Sequence, residues 1–121
     1  MNDLFIPYEL AVIAKEKGFR ERCIRYYNYS GIIEVNKADE FQNGHNYNDC
    51  NYRFSAPLYQ QLVDWFKKVH KITIEPRTKT DLNDWSKFET KYIVLNWDGL
   101  TPFINEFADL NKAIEESFKL I

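Results

Sequence analysis

Apolar residues recur at helical spacing in three segments of the chain, a pattern that predicts three helices. The first helix runs from about Pro7 to Lys17, and Gly18 can then take the left-handed conformation that ends a helix, with Phe19 folding back on it. The second follows Ser55, which we expect to cap it. The third runs from about Ala108 to Leu120. The apolar face of the second helix consists of Leu58, Leu62, Trp65, Phe66 and Val69.

Between the helices, segments rich in β-branched and aromatic residues predict short strands. Cys23–Tyr29 and Ile32–Val35 flank a Ser-Gly turn and predict a hairpin. Further strands are predicted at Tyr52–Phe54, at Ile72–Glu75 before Pro76, at Phe88–Trp97 and within Leu100–Phe107, and long polar loops at 36–51 and 77–87. The order predicts a single α+β domain over residues 1–121. We expect an antiparallel or mixed sheet of about four to six strands and three helices packed mainly on one face.

Three helical segments of this chain resemble those of a known family. They are Ile6–Phe19 with Cys23 and Tyr26–Tyr27 behind it, Ser55–Lys67, and Asn111–Ile121. The family consists of small uncharacterised proteins that phages, prophages and mobile elements of Bacteroidota gut bacteria encode. The resemblance covers roughly half of the chain and implies a bacterial or phage origin and a cytoplasmic location. It implies no catalytic residue. It suggests a protein that binds and sequesters a host molecule.

Charge and hydropathy narrow the function classes. The chain has 16 Lys and Arg against 18 Asp and Glu, a net charge of −2, which disfavours a protein that coats nucleic acid. No stretch approaches the roughly 18 apolar residues that span a bilayer. The first residues lack the basic and apolar regions of a secretion signal. We therefore expect a cytoplasmic protein with no membrane partner.

The titratable residues show no catalytic or metal-binding pattern. Cys23, Cys50, His45 and His70 lack the ligand spacing of a zinc site and the signature of a nucleophilic pair. We expect two free thiols, with Cys23 as a core residue. Phosphate-binding, dinucleotide-binding and hydrolase motifs are absent from the sequence. The sequence therefore predicts a protein that is not an enzyme and needs no cofactor or metal.

A first candidate binding surface combines tyrosine with arginine. Exposed tyrosines beside asparagines suit recognition of a partner surface or a flat ligand, and arginine suits an anionic group such as that of a nucleotide. Tyr26 and Tyr27 point to opposite faces of a strand, so these two and Tyr29 are not all expected in the core. Tyrosine also suits half-exposed sheet positions with no ligand. The candidate ligand-binding residues are Arg25, Tyr27, Tyr29, Tyr47 and Arg53.

A second candidate surface is basic and lies near Trp65 and Trp85. Its residues are Lys67, Lys68, Lys71, Arg77 and Lys79. Basic residues beside aromatic rings bind single-stranded nucleic acid or a host protein, but the net charge favours ordinary solvated lysines with Trp65 in the core. The aromatic content of 17% also predicts an apolar patch that a homo-oligomer would bury.

Overall fold

The computed structural model describes residues 4–34, 46–81, 84–97 and 103–121, without the side chains of 78–81, 84–89, 103 and 104. Two compact units are present, Met1–Leu62 and Val63–Ile121, and the boundary between them falls inside the second helix. Each unit has a sheet of its own. That residues 1–121 form a single domain stays a prediction.

Helix α1, Tyr8–Glu16, belongs to the first unit and ends as the sequence predicts. Gly18 has a φ of +89°, and its amide donates to the Lys15 carbonyl at 3.2 Å. The Phe19 amide donates to the Ala14 carbonyl at 2.9 Å. These two hydrogen bonds make a Schellman ending, which turns the chain back so that the Phe19 side chain is fully buried.

The first unit contains a three-stranded antiparallel sheet in which every strand is two residues long. The strands are β1 (Tyr26–Tyr27), β2 (Ile33–Glu34) and β3 (Phe54–Ser55), in the order β2-β1-β3. Strands β1 and β2 pair as the predicted hairpin. In its turn, the Asn28 carboxamide oxygen accepts hydrogen bonds from the Ser30 and Ile32 amides, and Gly31 has a φ of +76°. The hairpin prediction is therefore confirmed.

Ser55 is not the helix cap that the sequence predicts. It is a fully buried residue of β3, and its hydroxyl accepts a hydrogen bond from the Tyr47 amide at 3.0 Å. Helix α2, Tyr59–Trp65, begins four residues later. The prediction was wrong because the Ser55 hydroxyl bonds to the first residue of the 3-10 helix Tyr47–Asp49 instead of to the start of α2. The sequence assigned this 3-10 helix to a polar loop. Residues 36–45 of that loop, and Val35 before it, lie outside the described residues.

The core of the first unit combines aliphatic side chains with three tyrosines. Its buried apolar residues are Ile6, Leu10, Ala11, Ala14, Phe19, Cys23, Tyr26, Tyr27, Tyr47, Ala56 and Leu62. The burial of Cys23 confirms its predicted place in the core. Neither Cys23 nor Cys50 forms a disulfide.

Helix α2 continues directly into a π-helix, Phe66–His70, which ends at Lys71 with a φ of +57°. The predicted apolar face is therefore buried only in part. Leu62, Trp65 and Phe66 are buried, whereas Leu58 and Val69 are exposed. A π-helix forms its hydrogen bonds between residues five apart, so its wider turn carries Val69 away from the position that a spacing of 3.6 residues predicts.

The second unit contains three longer antiparallel strands in the order β4-β5-β6. They are β4 (Ile72–Asp81), β5 (Asp84–Asn96) and β6 (Phe103–Phe107). Pro76 was expected to stop β4, and residues 77–87 to form a loop, and both predictions were wrong for the described residues; residues 82 and 83 lie outside them. Pro76 pairs with Tyr92, and β4 continues beyond it as one side of a long hairpin with β5. Within this sheet β4 is an edge strand, where a missing amide donor is tolerated.

Helix α3, Leu110–Phe118, completes the second unit. The Asp109 carboxylate caps it by accepting the Asn111 amide at 2.9 Å. The Phe118 ring lies 4.9 Å from the Phe66 ring. The buried residues of α3 are Ala113, Ile114, Ser117 and Phe118. In the part of the chain that the structure describes, three helices and antiparallel strands confirm the α+β class, but the six strands form two three-stranded sheets rather than the single sheet predicted.

Candidate functional site

A tight turn at Cys50–Arg53 is the candidate site of the first unit. The Arg53 amide donates to the Cys50 carbonyl at 3.4 Å, which closes the turn. Asn48, just before it, fixes its position: the side-chain nitrogen donates to the Phe19 carbonyl and the side-chain oxygen accepts the Ser55 amide, both at 2.8 Å. The turn is thus held between the end of α1 and strand β3.

The Arg53 guanidinium contacts two tyrosine rings. Its central carbon is 4.6 Å from the ring centre of Tyr26 and 5.7 Å from that of Tyr52. Tyr26 is buried and Tyr52 is 54% exposed. Burial, followed by a hydrogen bond with Glu34, raises the pKa of Tyr26, so this ring stays neutral beneath the guanidinium. In the described part of the chain no carboxylate forms an ion pair with Arg53.

Cys50 and Tyr52 form a hydrogen-bonded pair at the start of the turn. The Tyr52 hydroxyl hydrogen-bonds the Cys50 sulfur and lowers the pKa of the thiol, and the positive charges of Arg53 and Lys15 lower it further. The same hydrogen bond raises the pKa of Tyr52. Cys23 shows the opposite behaviour, because burial raises the pKa of its thiol to about 12. At this turn the pKa is therefore lowered for the Cys50 thiol, whereas the pKa values of Tyr52 and Tyr26 are raised.

Tyr29, one of the candidate residues, lies beside this turn. Its side chain is 69% exposed, and its hydroxyl donates to the Asn51 carbonyl at 3.4 Å. Its ring stands edge-on to Phe54 at 6.5 Å. Tyr29 and Arg53 are thus the two sequence candidates that the structure places at the turn.

Tyr27 and Tyr47 are not exposed, in contrast to the expectation from the sequence. The Tyr27 hydroxyl donates to the Ile6 carbonyl at 2.7 Å within the core. The Tyr47 ring packs against Tyr26 at 4.6 Å and is 2% exposed. Tyr26 and Tyr27 point to opposite sides of β1, and both sides are covered. Neither Tyr27 nor Tyr47 presents a surface to a ligand.

The Arg25 side chain contacts residues that are not part of the turn. Its guanidinium is 5.9 Å from the ring centre of Phe5, and it makes a long hydrogen bond of 3.4 Å to the Ile24 carbonyl.

An open apolar groove in the same unit is lined by Leu4, Leu58, Tyr59 and Gln60. Among the described residues its lining contains no charged side chain, so the groove does not suit an anion.

The candidate basic surface of the second unit is not a compact patch. Lys67, Lys68 and Lys71 are exposed at the end of the π-helix. Arg77 is exposed six residues farther along the extended strand, which places it about 20 Å from Lys71 at 3.3 Å per residue. Lys79 lies farther along β4, and its side chain is outside the described residues.

Of the tryptophans near the basic residues, Trp65 lies in the core, as the sequence predicts. Trp65 is 4% exposed and packs on Phe66, whereas Trp97, which the sequence did not single out, is 55% exposed. The indole nitrogen of Trp97 donates to the Thr73 hydroxyl at 2.7 Å, and its amide donates to the Lys71 carbonyl at 3.0 Å. The Trp85 side chain lies outside the described residues.

Within residues 4–34, 46–81, 84–97 and 103–121, no group of three or more His, Cys, Asp or Glu side chains is arranged to hold a metal ion. In the same residues no helix has both the length and the apolar character needed to cross a membrane.

Comparison with known proteins gives no significant match, whether with protein-family models, curated proteins or solved structures. The resemblance to small phage and mobile-element proteins therefore stays a prediction. The candidate site rests on the geometry of the chain itself.

Proposed function

We propose that this protein is a non-enzymatic binding protein whose Cys50–Arg53 turn recognises an anionic, planar small molecule such as a nucleotide. The observation that carries the proposal is the Arg53 guanidinium, which lies over the Tyr26 and Tyr52 rings and has no ion-pair partner among the described residues. Sequestering a host molecule is the role that suits such a protein best.

Contact with the rings prepares the guanidinium for an anion. A planar guanidinium that lies over aromatic rings keeps its N–H groups in its own plane, where two of them match the oxygens of a phosphate or carboxylate. Less conformational freedom is then lost on binding than with a mobile side chain. The exposed rings of Tyr52 and Tyr29 supply flat apolar surface beside it, which suits a nucleobase.

The test is a titration of the protein with adenosine monophosphate, adenosine and inorganic phosphate, followed by calorimetry. We expect the monophosphate to bind more tightly than either part alone, because the base and the phosphate occupy different parts of the site. Arg53→Gln should weaken monophosphate binding by at least about tenfold, since a charge-assisted hydrogen bond contributes about 1.5–3 kcal/mol.

Two other arginines provide matched controls. Arg20 is exposed and pairs with Asp49 at 3.0 Å, and Arg25 contacts Phe5. Arg20→Gln and Arg25→Gln each remove one positive charge from the same unit and should leave the affinity within about twofold. The proposal is wrong if the wild-type protein binds neither monophosphate nor phosphate, or if the three variants weaken binding equally.

A second candidate function is weak binding of single-stranded nucleic acid or a host protein by the second unit. The exposed indole of Trp97, fixed by its hydrogen bond to Thr73, favours it, because a fixed aromatic ring suits a stacked base. Binding of a labelled deoxythymidine oligomer should then weaken as salt is raised and be lost in Trp97→Ala. Affinity that does not depend on salt would contradict nucleic-acid binding.

The origin and assembly of the protein are also proposed. We infer a phage or mobile-element protein that works in the cytoplasm as a homo-oligomer, with the exposed apolar side chains Leu4, Ile24, Ile32 and Val69 as candidates for burial between subunits. Native mass spectrometry of freshly purified protein would measure the number of subunits and any bound small molecule together. A monomer at high concentration would contradict the oligomer.

A further inference from the structure

Lys15 connects helix α1 to both ends of the candidate turn. Its ammonium group donates to the Cys50 carbonyl at 2.5 Å and to the Arg53 carbonyl at 2.8 Å. It also lies 4.8 Å from the ring centre of Phe54. Cys50 and Arg53 are the first and last residues of the turn, which the hydrogen bond from the Arg53 amide to the Cys50 carbonyl closes. The Lys15 side chain therefore bonds to both ends of the turn.

The contacts differ from those of an ordinary surface lysine. Lys15 is partly buried, and its hydrogen bonds span 35 and 38 residues of sequence. Exposed lysines keep the ammonium in water and move freely. An ammonium that donates to two carbonyls while it lies over an aromatic ring has lost that freedom, and it confines the carbonyls in return.

We propose that Lys15 is the positioning residue of the Cys50–Arg53 turn. Through the turn, Lys15 determines the positions of the Arg53 guanidinium and the Tyr52 hydroxyl. The part that concerns ligand affinity rests on the proposed function, whereas the part that concerns Tyr52 does not. Two consequences follow. Without the ammonium, the turn loses the donor that joins its ends, and Tyr52 no longer holds its hydrogen bond to the Cys50 sulfur. The Arg53 side chain loses the same support.

The readout is the pH profile of Cys50 alkylation by iodoacetamide, followed peptide by peptide in the intact protein. The thiolate is the reacting form, so the midpoint of the profile reports the surroundings of the sulfur. Cys23 is an internal reference, because it is buried and its pKa is raised to about 12. In Lys15→Met we expect the Cys50 midpoint to rise by about half a pH unit or more, and the rate at pH 7 to fall about threefold.

Three further variants separate positioning from a loss of charge or of fold. Lys15→Arg keeps a cation with several donors and should restore the wild-type profile. Lys17→Met removes a positive charge from the exposed end of the same helix and should leave the profile unchanged. If Lys15→Met does not fold, Lys15→Gln, which keeps an amide donor without the charge, takes its place and should raise the midpoint by a smaller amount.

A double-mutant cycle with Tyr52→Phe gives the decisive comparison. If Lys15 acts by positioning the Tyr52 hydroxyl, Lys15→Met should shift the profile much less once that hydroxyl is absent. Equal shifts in both backgrounds would mean that Lys15 acts only through its charge, and they would overturn the proposal. So would an unchanged profile in Lys15→Met.

The same variants keep this inference separate from the proposed function. Lys15→Met should also weaken adenosine monophosphate binding, by less than Arg53→Gln does. If the wild-type protein binds no nucleotide while the Lys15–Tyr52 coupling is present, the proposed function fails and the positioning role stands. If nucleotide binding depends on Arg53 but the coupling is absent, the positioning role fails and the function stands.

Discussion

Tyr27→Phe removes one hydroxyl group from the core of the first unit and changes nothing else in the shape of the side chain. That hydroxyl donates to the Ile6 carbonyl at 2.7 Å, and both residues are buried. The Ile6 amide is itself bonded to the Pro57 carbonyl at 3.1 Å, so this hydrogen bond ties β1 to a segment that is already held in place. The carbonyl therefore has little freedom to move toward another donor.

The expected cost follows from that geometry. A buried carbonyl that loses its donor costs about 1–3 kcal/mol of folding free energy. At about 1.4 kcal/mol for each factor of ten, the unfolding equilibrium constant should rise about 5- to 150-fold. Tyr29→Phe is the matched control, because its hydroxyl makes a 3.4 Å bond at a 69% exposed position. We expect that variant to change stability by less than about 0.5 kcal/mol.

Urea unfolding followed by circular dichroism measures both variants. Tryptophan fluorescence is unsuitable, because all three tryptophans lie beyond residue 62 and do not report on the first unit. Equal, small effects of Tyr27→Phe and Tyr29→Phe would refute the assignment of Tyr27 to the core. An effect of Tyr27→Phe on nucleotide affinity with no loss of stability would restore it as a ligand residue.

Two further predictions concern pH and backbone conformation. Burial raises the pKa of Cys23 to about 12 from 9.0, so the unfolded chain loses this proton first as the pH rises. The free energy of unfolding should therefore fall between pH 9 and about 12, with a slope from this thiol of up to about 1.4 kcal/mol per pH unit, and the fall should be shallower in Cys23→Ala. Gly18→Ala should lower the free energy of unfolding by about 1–2 kcal/mol in the same urea assay, because alanine is strained at a φ of +89°. Steric contact does not add to this cost, since no atom lies within 4 Å of the added carbon. An unchanged free energy of unfolding would contradict the Schellman ending.

The sequence correctly predicted the elements that depend on hydrogen bonds between residues close together in the chain. The end of α1 depends on Gly18 and Phe19, which are its immediate neighbours. The β1–β2 hairpin depends on Asn28 and Gly31, which lie within its own turn. Each of these hydrogen bonds joins residues no more than five apart in sequence, so the residue types themselves carry the information.

Predictions that depended on distant partners failed. Ser55 has the residue type of a helix cap, but its hydroxyl accepts a hydrogen bond from the Tyr47 amide instead. Pro76 has the residue type of a strand stop, but the place of β4 at the edge of its sheet makes the missing donor harmless. Both outcomes depend on which segments pair, and periodicity within a segment contains no information on that.

The candidate site was predicted only in part for the same reason. Arginine and tyrosine predicted a surface for a planar anion, and Tyr29 and Arg53 lie at the turn. Lys15 had no sequence signal, because its two carbonyl partners are 35 and 38 residues away. Tyr52 and Cys50 matter only because the turn brings the hydroxyl to the sulfur.

By itself, then, the sequence determined the α+β class, the positions of the three helices and the first hairpin, since helical periodicity and turn residues act over a few neighbouring positions. The tertiary structure alone decided that the strands divide into two sheets and which tyrosines are buried. It also decided that a lysine of α1 holds the turn of Arg53. These depend on side chains and backbone groups that are far apart in sequence, and only the folded chain brings them within hydrogen-bonding distance.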